Sequence, residues 1–230
     1  MTTLTRRLTD YTDPNSFASK LRRKRMAPLV DLVRAAYERN GSVRVLDLGG
    51  TAAYWRAFPA DVLEGCRVSV RLVNLPDGHV QPVDLPPGFE SVVGDACRLV
   101  DYADGSVDVV HSNSVIEHVG SWDNMAAFAG EARRVGRAYF VQTPNFWFPV
   151  EPHFMTPLYH WLPRPTRVAL LMSRRLGHFP RESSVDAAVR AVDGIQLLDR
   201  RQVRALFPDA EIRTERYLGL PKSLIAIRRG

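Results

Sequence analysis

Two histidines with acids beside them, and one glycine turn with an acid before it, are the residues of this chain best suited to chemistry. His118 directly follows Glu117, and His153 lies two residues after Glu151. An unperturbed imidazole titrates near pH 6.5, so either side chain can take a proton from a bound hydroxyl at neutral pH. Glu151, His153 and His118 would also suit a divalent cation. Glu-Pro-His has no diagnostic ligand spacing, however, and no metal is expected. The alternative for Glu117-His118 is a pair that braces its own turn. The glycine turn, Gly49-Gly50-Thr51, ends an apolar run of Val43, Val45, Leu46 and Leu48 that carries the single acid Asp47. Glycines lack a Cβ, so this loop can turn sharply and let a ligand approach its main chain. A buried parallel strand delivers its backbone to a ligand in this way.

Three stretches carry a family likeness: VRVLDLGGTAAYW (43–55), Gly94-Asp95-Ala96-Cys97, and DGSVDVVHSNSVIEHV (104–119), the most specific of them. Together they resemble the class I S-adenosylmethionine-dependent methyltransferases of the small-molecule type. The resemblance implies S-adenosylmethionine as cofactor and places Asp47, Gly49, Gly50, Thr51, Asn74, Asp95, Ala96, Ser112 and Asn113 around it. Asp95 would read the adenine amino group with the next backbone amide, although a turn acid capping the next helix is the other reading. Asn74 stands where an acid commonly holds the ribose hydroxyls; it can form a hydrogen bond but supplies no charge, and Asp77 is the candidate substitute. A second departure from the family pattern is Ala52-Ala53, where a further glycine is usual.

The reaction the resemblance implies is a displacement at a sulfonium-activated methyl carbon, so the protein must position an acceptor and, for a hydroxyl, remove its proton. His118 and His153 are the candidate bases. Asn145, Phe148, Glu151 and His153, in the segment after the fifth strand, are expected to face a small-molecule acceptor, with a hydroxyl of a natural product, sugar or lipid-like molecule as first choice. His111, inside a strand, and His178, in a basic stretch, are not singled out. His160 and Trp161 read as packing of a lid. An RNA methyltransferase and a non-enzymatic protein of the same fold are the alternatives. A nicotinamide-dependent oxidoreductase would need G-x-G-x-x-G, which Gly49 to Tyr54 does not supply. The Asn/Asp-Pro-Pro-aromatic signature of base amino-methylation is absent after strand four, so nucleic acid is not an expected partner.

The elements needed to position these residues can be read from periodicity and caps. Strands are expected at Val43–Leu48, Arg67–Leu75, Glu90–Val93, Ser106–Ser112, Arg137–Gln142, Ala210–Tyr217 and Ser223–Arg228. They make a Rossmann-like doubly wound α/β sheet of seven strands, mostly parallel and closing in an antiparallel hairpin. Before it, residues 1–42 form a helical cover. One helix is capped by Ser16 and runs through Met26, and a second is restarted by Pro28, carries Leu29, Val30, Leu32, Val33, Ala36 and Tyr37 on one face, and stops at Asn40-Gly41. Tyr54–Gly65 should be a helix interrupted near Pro59. Ser121 should cap a helix burying Met125, Phe128, Ala129, Ala132 and Val135, and Asp199 one reaching Phe207. Residues 43–230 form the catalytic domain, with 143–193 as an acceptor-binding insertion.

Composition bounds the rest. A chain of 230 residues with 45% hydrophobic content supports one well-cored domain. Cys66 and Cys97 lie far apart, suggesting neither a disulfide framework nor a zinc site, and a cytoplasmic home is expected. No apolar run reaches the roughly 18 residues of a membrane span, and the amino-terminal charges have no apolar run after them. Net charge is +5 over residues 1–40, −5 over 41–142 and +6 over 143–230. An acidic centre suits a cationic cofactor, while basic flanks could attract an anionic or lipid-linked acceptor or a membrane surface. Solvated arginine on helix faces is the plainer reading. For Arg164–Arg175, a lid helix is favoured over a membrane-surface one.

Overall fold

The computed structural model describes residues 17–76 and 85–230, with side chains from residue 25. The first helix, α1 (Phe17–Asn40), leads into strand β1 (Val43–Leu48), with Gly41 in the left-handed region at φ +69° as the stop. Ser16 and Asp77 lie outside the described residues. Contrary to the expected restart at Pro28, α1 runs unbroken through that proline. A proline inside a helix removes a hydrogen bond and crowds the preceding turn. Here Met26, Pro28 and Leu29 are all buried, and tertiary packing holds the turn together.

Short helices α2 (Ala52–Trp55) and α3 (Ala60–Gly65) follow β1, broken at Pro59 as anticipated. Then come β2 (Val68–Asn74), β3 (Phe89–Val93) and β4 (Val107–Asn113), a 3₁₀ turn at Ile116–His118, α4 (Trp122–Val135) and β5 (Gly136–Pro144). Ser121 caps α4 by accepting from the Asn124 amide, and all five apolar residues named for its inner face are buried. The segment after β5 holds a 3₁₀ turn at Tyr159–Trp161, α5 (Arg164–Ser173) and α6 (Val185–Asp193), the last not foreseen from sequence. A full capping box between Asp199 and Gln202 starts α7 (Arg200–Leu206), and β6 (Glu211–Tyr217) and β7 (Leu220–Arg228) close the chain.

The seven strands form one sheet in the order β3-β2-β1-β4-β5-β7-β6. β1 to β5 pair in parallel, and β7 runs antiparallel to both β5 and β6. The order reverses between β1 and β4, the topological switch point where open α/β sheets bind ligands at the carboxyl ends of their strands. One apolar layer packs α1 against the sheet through Leu29, Val33, Val45, Val109 and Phe140; the other packs α4 and α7 through Phe128, Ala132, Tyr139 and Phe207. A third cluster, built on Phe154, Tyr159, Leu171 and Val192, belongs to the segment after β5. There α5 buries Leu171 and leans Val168, Leu170 and Met172 on the cluster, so its apolar side faces protein. Among the described residues no helix is long and apolar enough to cross a membrane.

Asp209, between α7 and β6, ties the two halves of the second layer. It accepts from Tyr139 Oη at 2.8 Å, Arg133 Nε at 2.8 Å and Arg228 Nη1 at 2.9 Å. Partial burial pushes its carboxyl up, but the hydrogen bonds from Tyr139, Arg228 and Arg133 outweigh it and hold the group below its ordinary value. A depressed carboxylate adds stability above its unfolded pKa, near 3.9, which is lost as pH falls through the folded value. Asp209→Asn should therefore cost about 1 kcal/mol at pH 7, a figure discounted for partial exposure, and little below about pH 3. Denaturant unfolding of both proteins across that range measures the difference.

Candidate active site

The glycine turn is shaped by what lies under it. Asp47, fully buried at the end of β1, accepts from the Trp55 indole Nε1 at 2.7 Å and pairs with His111 Nδ1 at 2.7 Å. A buried carboxylate without donors costs several kcal/mol; two short hydrogen bonds make this one tenable. Trp55 comes from α2 and His111 from β4, so one side chain joins the strand, the helix after it and the neighbouring strand. A Cβ on Gly50 would sit 1.8 Å from Asp47 Oδ2, and one on Gly49, at φ +71°, would sit 2.6 Å from the Val115 side chain. Both glycines are required by close approach, Gly49 also by its backbone.

Around this turn the other expected cofactor residues fall into two ranks. Asn74 donates its amide to the Gly50 carbonyl at 3.0 Å, which fixes the loop and leaves the side-chain oxygen as an acceptor. Thr51 precedes α2 in extended conformation. Asp95 is exposed and accepts from the Cys97 amide at 2.8 Å, with Ala96 half-buried beside it. The Asn113 side-chain oxygen, at the end of β4, is buried with no hydrogen-bond partner. These stand at or just beyond the carboxyl ends of β1 to β4, around the switch point. Asp47 and Ser112, by contrast, stand behind it: both are fully buried, and Ser112 Oγ donates to the Leu48 carbonyl at 3.0 Å. His111 was missed by sequence reasoning, since a histidine in a strand carries no spacing signal; its Nε2 is buried without a partner and its ring stacks on Phe140.

The two candidate bases come together. His118 Nε2 and His153 Nε2 lie 3.0 Å apart, although their residues are 35 positions apart in the chain. The 3₁₀ turn after β4 presents His118; Ser114, at φ +56° before it, is a strained non-glycine residue pinned by hydrogen bonds to Gln142 on β5. His153 rides on a tight turn whose core is Glu151. That buried carboxylate accepts the His153 amide at 2.9 Å and the Phe154 amide at 2.7 Å, and it also receives His153 Nδ1. On the far side, His118 Nδ1 lies 3.3 Å from the Gly194 carbonyl. Glu117, fully buried, accepts from Thr143 Oγ1 at 3.0 Å through one oxygen and leaves the other without a partner.

Electrostatics separates the members of this group. Burial raises Glu117 to about 7. Desolvation and then the neighbouring His153 hold His118 below its ordinary value. Burial alone would lower His153 as well, but the hydrogen bond and charge of Glu151 outweigh it and leave His153 raised. Glu151 is pushed up by burial and brought below its usual value by His153 and the two backbone amides.

Asn145 and Phe148, expected to face an acceptor, stand apart from this group. Asn145 is buried and braces its own turn by accepting from the Trp147 amide at 3.1 Å, while Phe148 packs edge-on against Tyr217 of β6. His160 and Trp161 each donate to the Phe146 carbonyl at 2.8 Å, the packing role anticipated for them. Behind Glu151, a cavity of about 250 Å³ is lined by Phe146, Phe154, Tyr159, His160 and Arg167.

Residues 46–138 match a family model described as a methyltransferase domain. No curated protein matches the chain. Of the solved structures, an O-methyltransferase family protein from Burkholderia thailandensis is 16% identical with a TM-score of 0.50, over 99% of this chain and 63% of its own length. A protein from Pyrococcus horikoshii OT3 has the same identity and TM-score over 99% of this chain and 98% of its own. Magnesium protoporphyrin IX methyltransferase from Synechocystis PCC 6803, solved with bound SAH, is 14% identical with a TM-score of 0.47, over 95% of this chain and 90% of its own. At these identities the likeness is one of fold. This chain spans less than two thirds of the Burkholderia protein and nearly all of the Pyrococcus one.

The tight packing under the glycine turn is open to a direct test. Gly50→Ala should destabilise the protein by about 3 kcal/mol, because the new methyl group must displace the Asp47 carboxylate from its donors. Gly130→Ala, in the middle of α4 with open space around the added Cβ, should instead stabilise it by about 0.5–1 kcal/mol. Denaturant unfolding of the two variants beside the parent reads both signs.

Proposed function

We propose that this S-adenosylmethionine-dependent methyltransferase methylates a hydroxyl oxygen of a small-molecule acceptor held against the His118–His153 pair. The residues at the switch point fit the cofactor. Gly49 and Gly50 are kept bare by the Asp47 and Val115 side chains packed against them, so the turn presents main chain rather than side chains at the end of β1, and the buried, unpartnered Asn113 oxygen at the end of β4 offers an acceptor. Gly49, Gly50, Thr51, Asn74 and Asn113 would hold the amino-acid and ribose parts, and Asp95 with the Ala96 backbone would hold the adenine. Asp47 and Ser112 act from behind as positioning residues. When bound, S-adenosylmethionine supplies a methyl group whose bond to positive sulfur breaks with its electron pair going to sulfur.

The observation that carries the choice of oxygen is the meeting of His118 Nε2 and His153 Nε2 at 3.0 Å, backed by the buried Glu151 carboxylate. A hydroxyl is a weak nucleophile until its proton is drawn off, so it is the acceptor that gains most from such a pair. His118 and His153 orient the hydroxyl and are where its proton is lost; Glu151 fixes the His153 ring. Segment 143–193 serves as the acceptor-binding insertion. Its cavity is small and carries both signs of charge, Arg167 beside Glu151 and Asp193, among aromatic and aliphatic side chains, which supports a compact, polar acceptor.

Titration with S-adenosylhomocysteine should give micromolar binding to the parent, and to His118→Ala and His153→Ala within a few-fold. With an acceptor found by screening matched hydroxyl and amine compounds against labelled methyl donor, each variant should lose roughly 10²–10⁴ in kcat. Full activity in both variants, or product formed on amines alone, would overturn the assignment.

A further inference from the structure

The hydrogen-bond pattern of the histidine pair leaves a charge unaccounted for. The Gly194 carbonyl can only accept, so His118 Nδ1 carries the proton that reaches it. Glu151 is a carboxylate, so His153 Nδ1 donates to it. In the neutral tautomers both Nε2 atoms are then bare lone pairs, and they face each other at 3.0 Å. Two lone pairs at that distance repel unless a cation lies between them. Beside them the Glu117 carboxylate is fully buried, with one oxygen lacking any partner. One ligand atom from each of Glu117, His118 and His153 lies within 4.8 Å of the others.

We propose that Glu117, His118 and His153 bind a first-row divalent metal ion, of which zinc, cobalt and manganese are the probes. Two imidazoles and one carboxylate form a borderline donor set suited to such ions, and three protein ligands leave coordination positions open. Two nitrogens bound to one ion at about 2.1 Å lie roughly 3.0–3.4 Å apart for angles between octahedral and tetrahedral. The observed separation of 3.0 Å falls at that range. Each ligand also has an outer partner that fixes its orientation: the Gly194 carbonyl for His118, Glu151 for His153 and Thr143 for Glu117. Metal-binding histidines are held in this way by a carboxylate or carbonyl on the second ring nitrogen.

The inference deepens the proposed methyl transfer and rests on that reading for its role, though not for the binding itself. An ion here would take the acceptor hydroxyl at an open position and lower its pKa. With the ion bound, the imidazoles serve as ligands in place of the proton acceptors they form without it, and the hydroxyl proton leaves to solvent as the oxygen–carbon bond forms and the carbon–sulfur bond of the methyl donor breaks.

The full chain, stripped with a chelator and shown to be folded, would be titrated calorimetrically with Zn²⁺, Co²⁺ and Mn²⁺, and separately with S-adenosylhomocysteine. One equivalent of Zn²⁺ or Co²⁺ should bind with micromolar or tighter affinity, and bound Co²⁺ should show ligand-field bands in the visible. His118→Ala and His153→Ala should each weaken the metal at least 100-fold, and Glu151→Gln roughly 10- to 100-fold through the His153 ring. Should a variant fail to fold, the Co²⁺ spectrum of the unmodified chain and its loss on adding Zn²⁺ still decide the matter. No uptake of any of the three ions, or uptake unchanged in folded histidine variants, overturns the metal site and leaves a proton as the shared cation. If the chain takes up S-adenosylhomocysteine but none of the three ions, this inference alone is overturned; if it takes up an ion but not S-adenosylhomocysteine, the methyl-transfer reading is overturned instead.

Discussion

The carboxylate of Asp47 is the charge that the cofactor end of this molecule is built to hold. It has no exposure, and it survives burial only because Trp55 and His111 each approach one of its oxygens at 2.7 Å. Those two partners belong to the helix after β1 and to the strand beside it, so satisfying the charge also sets where the chain leaves β1 and how β4 lies against it. The glycine turn then closes over the carboxylate so tightly that no side chain fits at Gly50. A single desolvated charge thus determines the loop, the helix start and the spacing at the switch point. Losing it would expose the site to rearrangement before any ligand contact is touched.

What sequence could reveal follows from which forces act locally. The seven strands in chain order, the Ser121 and Asp199 caps and the inner face of α4 depend on period and on side chains within one turn, and all were legible. Pro28 was misread because the local rule against proline in a helix yielded to burial of Met26 and Leu29 on the sheet, a tertiary term. His111 was passed over for a related reason: its importance comes from a buried acid 64 residues away, and nothing in the strand's alternation signals that. Asn145 was placed on the loop after β5, where its side-chain oxygen satisfies a backbone donor two residues on, a contact its short amide side chain makes within its own turn.

The basic flanks show a similar shift from composition to placement. Arg25 pairs with Glu215, Arg164 with Asp193, Arg190 with Asp186, and Arg133 and Arg228 both with Asp209. These pairs orient helices and the final hairpin while the net positive excess remains, and the exposed ones among them contribute little to stability. Together with the inward lean of α5 this makes the carboxyl-terminal third a packed wall over the site. Among the described residues Arg25, Arg167 and Arg228 each have a buried Nε without a partner, and Arg167 lies on the wall of the cavity behind Glu151.

The two halves of the site are built from different materials, and the difference follows from what each must do. On the cofactor side, backbone at Gly49 and Gly50 and the amides of Asn74 and Asn113 offer shape and neutral hydrogen bonds. A ligand that brings its own positive charge needs little more than a fitted cradle. On the proposed acceptor side, four ionisable groups from two segments converge, and each is pinned by a second contact: Thr143 for Glu117, Gly194 for His118, and backbone amides for Glu151, which in turn holds His153. Such pinning removes the rotamer freedom that would let the imidazoles drift apart to relieve their repulsion. Holding Nε2 against Nε2 is costly in the absence of a cation, and the surrounding contacts are arranged to prevent escape. A site so constrained is poised to take up positive charge between its histidines, and in the proposed reaction that charge would lie beside the acceptor hydroxyl.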